Sequence, residues 1–231
     1  MRSKFLPFIR RQTRRQLFIW AGALMLFLLA ANLFLELAED IYRSEALSWD
    51  VNVMLAVNRV SQPWLDELFW IITLTGGPLI LIPLILIAGR LWQKGQQRRA
   101  LLFVVSFIGT ALLNSLLKTF FARPRPALFP TRVISSGYSF PSGHTMAAAA
   151  FFGMLALFLW QQGRYGWALL AAAWVPLIAF SRVYLGAHFP SDVLASLALG
   201  TIWLVIVWFT YTGHHVSQFR QPQEADLPPF S

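Results

Sequence analysis

The chain has 231 residues, of which 57% are hydrophobic and 13% charged. Soluble domains carry about 45–50% apolar and about 25% charged residues, so this composition excludes an ordinary soluble globule, and its hydrophobicity excludes a disordered chain. The net charge of +9 reads as membrane topology, with no nucleic-acid partner expected, and the lack of cysteine excludes disulfides and a thiolate nucleophile.

A membrane span needs about 20 mostly apolar residues. Six stretches qualify or come close: Leu17–Leu37, Leu68–Ala88, Leu101–Leu117, Thr145–Trp160, Trp167–Phe180 and Val193–Tyr211. They are continuous and lack the period-2 alternation of barrel strands, so the expected fold is all-α, a polytopic bundle of six transmembrane helices. Residues 1–16 read as a basic cytoplasmic arm, 17–213 as the membrane domain and 214–231 as a cytoplasmic tail, whose three prolines in Gln221–Ser231 predict disorder. Arg10, Arg11, Arg14 and Arg15 precede the first span as in a signal peptide. The apolar run after them is too long for one, so the span is expected to be a retained anchor.

Between the first two spans, Trp49, Val53 and Val57 recur at helical spacing, and Trp49, Trp64 and Trp70 suit an interfacial belt. This segment, 46–68, reads either as a helix lying on the membrane surface or as an ordinary structured loop. Threading the spans puts twelve basic residues on the side of both termini and seven on the other, while the acidic residues divide two to eight. The basic side is expected to be cytoplasmic.

Three polar clusters stand at span ends on the opposite face. They are Lys118 to Arg125-Pro126, Pro141-Ser142-Gly143-His144, and Ser181-Arg182 to His188 and Asp192. Lys118, Arg125 and Arg182 are three cations suited to a phosphate dianion. Ser142 and Gly143, just before a helix, offer a hydroxyl and backbone N–H groups to an anion. His144 and His188 supply the two groups that phosphate hydrolysis needs, a nucleophile and a general acid. If a helix begins near Pro190, the Asp192 carboxylate can reach back to the His188 imidazole and orient it. Taken singly, each signal has a plain structural reading: a snorkelling cation, an interfacial histidine, a serine N-cap. Their convergence on one face favours a site. Arg123, beside Arg125, reads as a headgroup or solvent contact ahead of the alternative of a fourth phosphate contact, and His214 and His215 lie at the far end with no catalytic role.

The three blocks, Lys-x6-Arg-Pro, Pro-Ser-Gly-His and Ser-Arg-x5-His-x3-Asp, span Lys118 to Asp192. With them the chain resembles the type 2 phosphatidic acid phosphatase superfamily, the lipid phosphate phosphatases that also resemble vanadium haloperoxidases. The resemblance implies that His188 attacks phosphorus and forms a phosphohistidine, that Asp192 orients it, and that His144 protonates the leaving oxygen and then activates water. It implies that Lys118, Arg125 and Arg182 bind phosphate oxygens with Ser142 and the Gly143 N–H, and that Ser181 makes a minor contact. No cofactor or metal is expected, since members need none and the polar set holds one carboxylate where two-metal chemistry would want more. The chain looks like a bacterial inner-membrane member with its site on the extracytoplasmic face. The implied substrates are lipid phosphates such as phosphatidylglycerophosphate, undecaprenyl pyrophosphate or phosphatidic acid. The alternatives are a phosphotransferase of the same fold, or a transporter or scaffold without activity.

Overall fold

The structure, a computed structural model, describes residues 5–43 and 47–218, with side chains over 17–43 and 47–212. Among these residues every regular element is helical. In chain order they are α1 (Phe5–Tyr42), α2 (Ser48–Arg59), α3 (Pro63–Leu74), α4 (Leu81–Gln93), α5 (Gln97–Phe121), α6 (Gly143–Ala148), α7 (Met154–Gln161), α8 (Tyr165–Tyr184) and α9 (Pro190–Gln218). A π-turn, Ala149–Gly153, joins α6 and α7 into one span. From residue 219 the expected tail lies outside the described residues.

Five of the described segments are long and apolar enough to cross a membrane, and the bent pair α3–α4 makes a sixth. The expected second span, 68–88, is therefore broken, with a bend of 45°. The cause is local. Pro78 has no N–H to continue the helix, and the N–H groups of Thr75, Gly76 and Gly77 fall back on the carbonyls of Ile72, Thr73 and Leu74, three residues behind. The two glycines let the break sit against the bundle. A Cβ on Gly76 would lie 2.5 Å from Ile178 Cγ2 of α8, and one on Gly77 would lie 2.8 Å from His144 Nε2. Apolarity alone conceals this break, because lipid-compatible residues continue on both sides of it.

Helices α8 and α9 form the centre. One core cluster joins Phe69 and Ile72 of α3, Ala148 of α6, and Val175, Ile178 and Tyr184 of α8. A second joins Phe103 of α5, Phe151 of the π-turn, Met154 and Phe158 of α7, and Val207 of α9. The buried run Ala148–Ala150 lets these helices approach closely where no hydrophobic drive separates protein from lipid. On α1, Leu17, Phe18, Leu24 and Leu28 stay exposed, as a lipid-facing helix requires, while Trp20 meets Phe209 of α9 at 4.2 Å between ring centroids.

Within the 46–68 segment, Ser48–Arg59 forms α2 and Pro63 starts α3, with a non-helical link at 60–62 between them. Helix α2 does more than lie at the edge. It buries Met54 among Ala179, Val183 and Val193, which pins it to α8 and α9. It also buries Asp50, an unusual position for a carboxylate on an apolar helix.

Gly76→Val forces a side chain into space that Ile178 already fills, and overpacking of this kind costs about 1–3 kcal/mol. Thermal melts in detergent should show a lowered Tm, partly restored by adding Ile178→Ala. An unchanged Tm would contradict the close approach of α3 to α8.

Candidate active site

Helix α5 ends one turn after Lys118, at Ala122, which adopts a left-handed conformation (φ 45°) and donates its N–H to the Lys118 carbonyl at 3.0 Å. A non-glycine residue there costs about 1–2 kcal/mol, and the chain accepts it in order to turn back across the end of the bundle. The turn brings Arg123 and Arg125 under the α8–α9 loop. That loop folds tightly: the N–H groups of Ala187 and His188 both donate to the Arg182 carbonyl, at 3.0 and 3.3 Å. Pro190 then starts α9, and Asp192 sits in its first turn with its carboxylate accepting the Phe189 N–H at 2.9 Å. This is half of a capping box, and it fixes the Asp192 side chain toward the loop.

The three cations converge. Each of Lys118, Arg125 and Arg182 lies in the field of the others. All are held by neutral acceptors: Lys118 Nζ donates to the Tyr138 carbonyl. Arg125 donates to the carbonyls of Gly137 (2.9 Å), Ser136 (2.8 Å) and Ala187 (2.7 Å). Arg182, only 3% exposed, donates from Nη1 to Thr73 Oγ1 at 2.7 Å. Its Nε is buried without a hydrogen-bond partner. An unmet buried donor costs about 1–3 kcal/mol, more when charged.

His188 is 2% exposed and lies between the cations and Asp192. Its Nε2 is 3.4 Å from Arg125 Nη1, and its Nδ1 faces Asp192 Oδ2 at 3.6 Å. That second distance gives attraction without a formed hydrogen bond, and Nδ1 has no other partner. His144 opens the span at α6 beside Gly77, within the fields of Arg182, His188, Arg125 and Lys118. The two imidazoles thus share one end of the bundle.

The remaining expected residues are placed as follows. Gly143 opens α6 against the Asn114 side chain, which itself donates to the Pro141 carbonyl at 3.0 Å. Ser142 is buried, its N–H donating to Ser196 Oγ at 2.7 Å and its hydroxyl accepting from Thr145 at 3.0 Å. Ser181 is buried too, and its hydroxyl donates to the Ile178 carbonyl of its own helix at 2.5 Å. That hydrogen bond keeps the Ser181 proton within α8.

Arg123 requires a correction. Its guanidinium does not face headgroups or solvent but bridges two buried carboxylates, Asp192 Oδ1 at 2.5 Å and Asp50 Oδ2 at 2.9 Å. The site therefore has a second carboxylate, Asp50, delivered by α2. Ser139 adds a further hydrogen bond to Asp192 Oδ2. Asn114, Ser139, Thr73 and Asp50 all support the site without belonging to the three blocks. Only Asp50 carried a sequence signal, a lone acid beside the apolar residues Val51 and Val53. Among the described residues, no group of three or more His, Asp or Glu side chains is placed to hold a metal ion.

Burial lowers the His188 pKa from 6.5 to about 4, with Arg182 and Arg125 pushing the same way and Asp192 opposing. The ring is thus neutral at physiological pH. Since the unfolded chain binds this proton near 6.5, the unfolded state holds more protons between pH 6.5 and 4, and stability falls as pH drops through that window. Nitrogen NMR of the histidine rings in detergent should show His188 neutral at pH 6 and titrating near 4. Half-protonation at 6.5 would contradict its burial.

Comparisons with known proteins place the chain in a family. The family model described as PAP2 superfamily matches residues 99–215. The chain is 34% identical over 197 residues to a phosphatidylglycerophosphatase B of Bacillus subtilis, covering 81% of this chain and 95% of that protein. It is 27% identical over 195 residues to an undecaprenyl-diphosphatase of Sulfolobus acidocaldarius, covering 82% and 89%. The crystal structure of a transmembrane PAP2-type phosphatidylglycerolphosphate phosphatase from Bacillus subtilis superimposes with a TM-score of 0.73 at 33% identity, over 86% of this chain and 98% of that one. With its helical bundle, its intact blocks and these relatives, the chain belongs to the PAP2 superfamily and is a membrane-embedded phosphatase.

Proposed function

We propose that the chain removes a terminal phosphate from a lipid phosphate or diphosphate through a phosphohistidine on His188, at the extracytoplasmic face of a bacterial inner membrane. The observation that carries this reading is unpaired charge, buried at Arg182 and half-buried at Lys118 and Arg125. Three cations converge on one imidazole, none within ion-pair distance of a carboxylate among the described residues, and one guanidinium nitrogen is unpartnered. Such a site is incomplete until an anion fills it.

In the first step the lone pair on His188 Nε2 forms a bond to phosphorus, while the bond from phosphorus to the leaving oxygen breaks and its electron pair stays on that oxygen. His144 gives that oxygen a proton. The imidazole becomes cationic, and Asp192, facing Nδ1, stabilises it. Lys118, Arg125 and Arg182 bind the three non-bridging oxygens throughout, in the manner of charge stabilisation that dominates phosphoryl transfer. In the second step His144 takes a proton from water as the water oxygen attacks phosphorus. The N–P pair returns to Nε2, and inorganic phosphate leaves. A lipid phosphate ends as an alcohol and a lipid diphosphate as a monophosphate.

The site lies at the ends of spans α5 and α8, so an acyl or prenyl tail can remain in lipid while the headgroup reaches the cations. The names of the relatives support phosphatidylglycerophosphate and undecaprenyl diphosphate as substrates to test first. The division of twelve basic residues against seven supports the extracytoplasmic face.

Purified protein, with a chelator and no acceptor lipid, should release phosphate from one or both of these lipids. His188→Ala should abolish phosphate release together with phosphoenzyme, and the label on wild-type protein should survive alkaline quench and be lost in acid. His144→Ala should still bind substrate but turn over about 100- to 10,000-fold more slowly, the usual worth of a general acid. Near-normal release by His188→Ala would overturn the assignment of the nucleophile. Release that requires an acceptor lipid would make the protein a phosphotransferase.

A further inference from the structure

Arg123 and Asp50 stand outside the phosphate cradle, yet they form its most connected polar group. Asp50, 1% exposed, accepts the Ser191 N–H on Oδ1 at 2.8 Å, and on Oδ2 the Ser191 hydroxyl at 2.5 Å and Arg123 Nη2 at 2.9 Å. Arg123 Nη1 reaches Asp192 Oδ1 at 2.5 Å and Ser191 Oγ at 2.8 Å. Asp50 thus holds both the first turn of α9 and the cation that touches Asp192.

Charge explains why two carboxylates share one arginine. Asp192 must stabilise an imidazolium that exists only after His188 has accepted the phosphoryl group. An Asp192–Arg123 pair alone is neutral, and its arginine would repel that imidazolium. Asp50 returns the group to a net charge of −1. Geometry points the same way. With Oδ1 occupied by Arg123, Oδ2 is the oxygen left facing His188 Nδ1, steadied there by Ser139 and the Phe189 N–H.

We infer that Asp50 is a positioning residue for the reaction, acting through Arg123 to keep Asp192 oriented and its charge available to His188, so that α2 is part of the active site. This inference rests on the reading of His188 as nucleophile. Asp50 touches neither ring, and none of the three phosphate-binding cations donates to it.

Rapid-quench measurement of phosphoryl incorporation tests it, using a prenyl diphosphate labelled at its terminal phosphate in detergent micelles. Asp50→Asn keeps shape and hydrogen-bonding capacity but removes the charge. Incorporation should slow by about 100-fold, the scale on which small misplacements remote from the chemistry act. KM should stay within about threefold, since phosphate binding is left to the other cations. Asp50→Glu should recover part of the rate, which a purely structural role would not allow in a packed site. Arg123→Lys provides a second variant, because breaking a buried pair can prevent folding. Lysine keeps the charge but cannot fork between two carboxylates, and the same slowing at unchanged KM is expected.

Wild-type incorporation rates in folded Asp50→Asn or Arg123→Lys would overturn the inference and leave the nucleophile assignment standing. A rise in KM at unchanged incorporation rate would overturn it in favour of substrate binding. Equal losses in the Asn and Glu variants, in proportion to lost folded protein, would overturn it in favour of stability alone. Absence of any His188 label in wild-type protein would overturn both readings.

Discussion

The carboxylate of Asp192 is the point on which the bundle end depends. It is wholly buried, and burying an ionised group is tolerable only when every lone pair is met. Arg123, Ser139 and the Phe189 N–H meet it, and each comes from a different place: the turn after α5, the long loop before α6, and the cap of α9. One desolvated charge therefore sets the relative position of three segments far apart in sequence. The His188 imidazole lies beside it at 3.6 Å, without a formed hydrogen bond.

The cluster of Lys118, Arg125 and Arg182 follows the opposite rule. Its cations are kept away from carboxylates and held by carbonyls and a hydroxyl, which orient them without cancelling their charge. The arrangement holds Lys118, Arg125 and Arg182 in mutual repulsion. A negative group at Asp50–Arg123–Asp192 lies on one side of His188 and the cations on the other. The ring is thereby oriented with Nδ1 toward the anion and Nε2 toward Arg125.

Much of this was legible in the sequence because it is local. Lys118, Arg125, His144, Arg182, His188 and Asp192 lie in short blocks whose spacing refers to single helix ends, and Pro190 marks the start of α9 as a proline at the first helical position does. Counting crossings put the blocks on one end of the bundle. What escaped is non-local. Arg123 is 73 residues from Asp50, and no periodicity connects them. Ser139 and Asn114 are ordinary polar residues until folding supplies their partners. The break at Gly76–Gly77–Pro78 was hidden inside a run whose apolarity suits lipid on either side, and only the approach of Ile178 and His144 explains why glycine stands there. Ser181, by contrast, matched its block yet turned its hydroxyl back to the helix.

In the proposed reaction one imidazole, backed by a buried anion and faced by three cations, receives the phosphoryl group. A structure of the protein with orthovanadate, which mimics phosphorus in transit, tests it most directly. Vanadium should bond His188 Nε2, with its equatorial oxygens on Lys118, Arg125 and Arg182 and an apical oxygen toward His144. Vanadate bonded to His144, or bound away from both rings, would contradict the account.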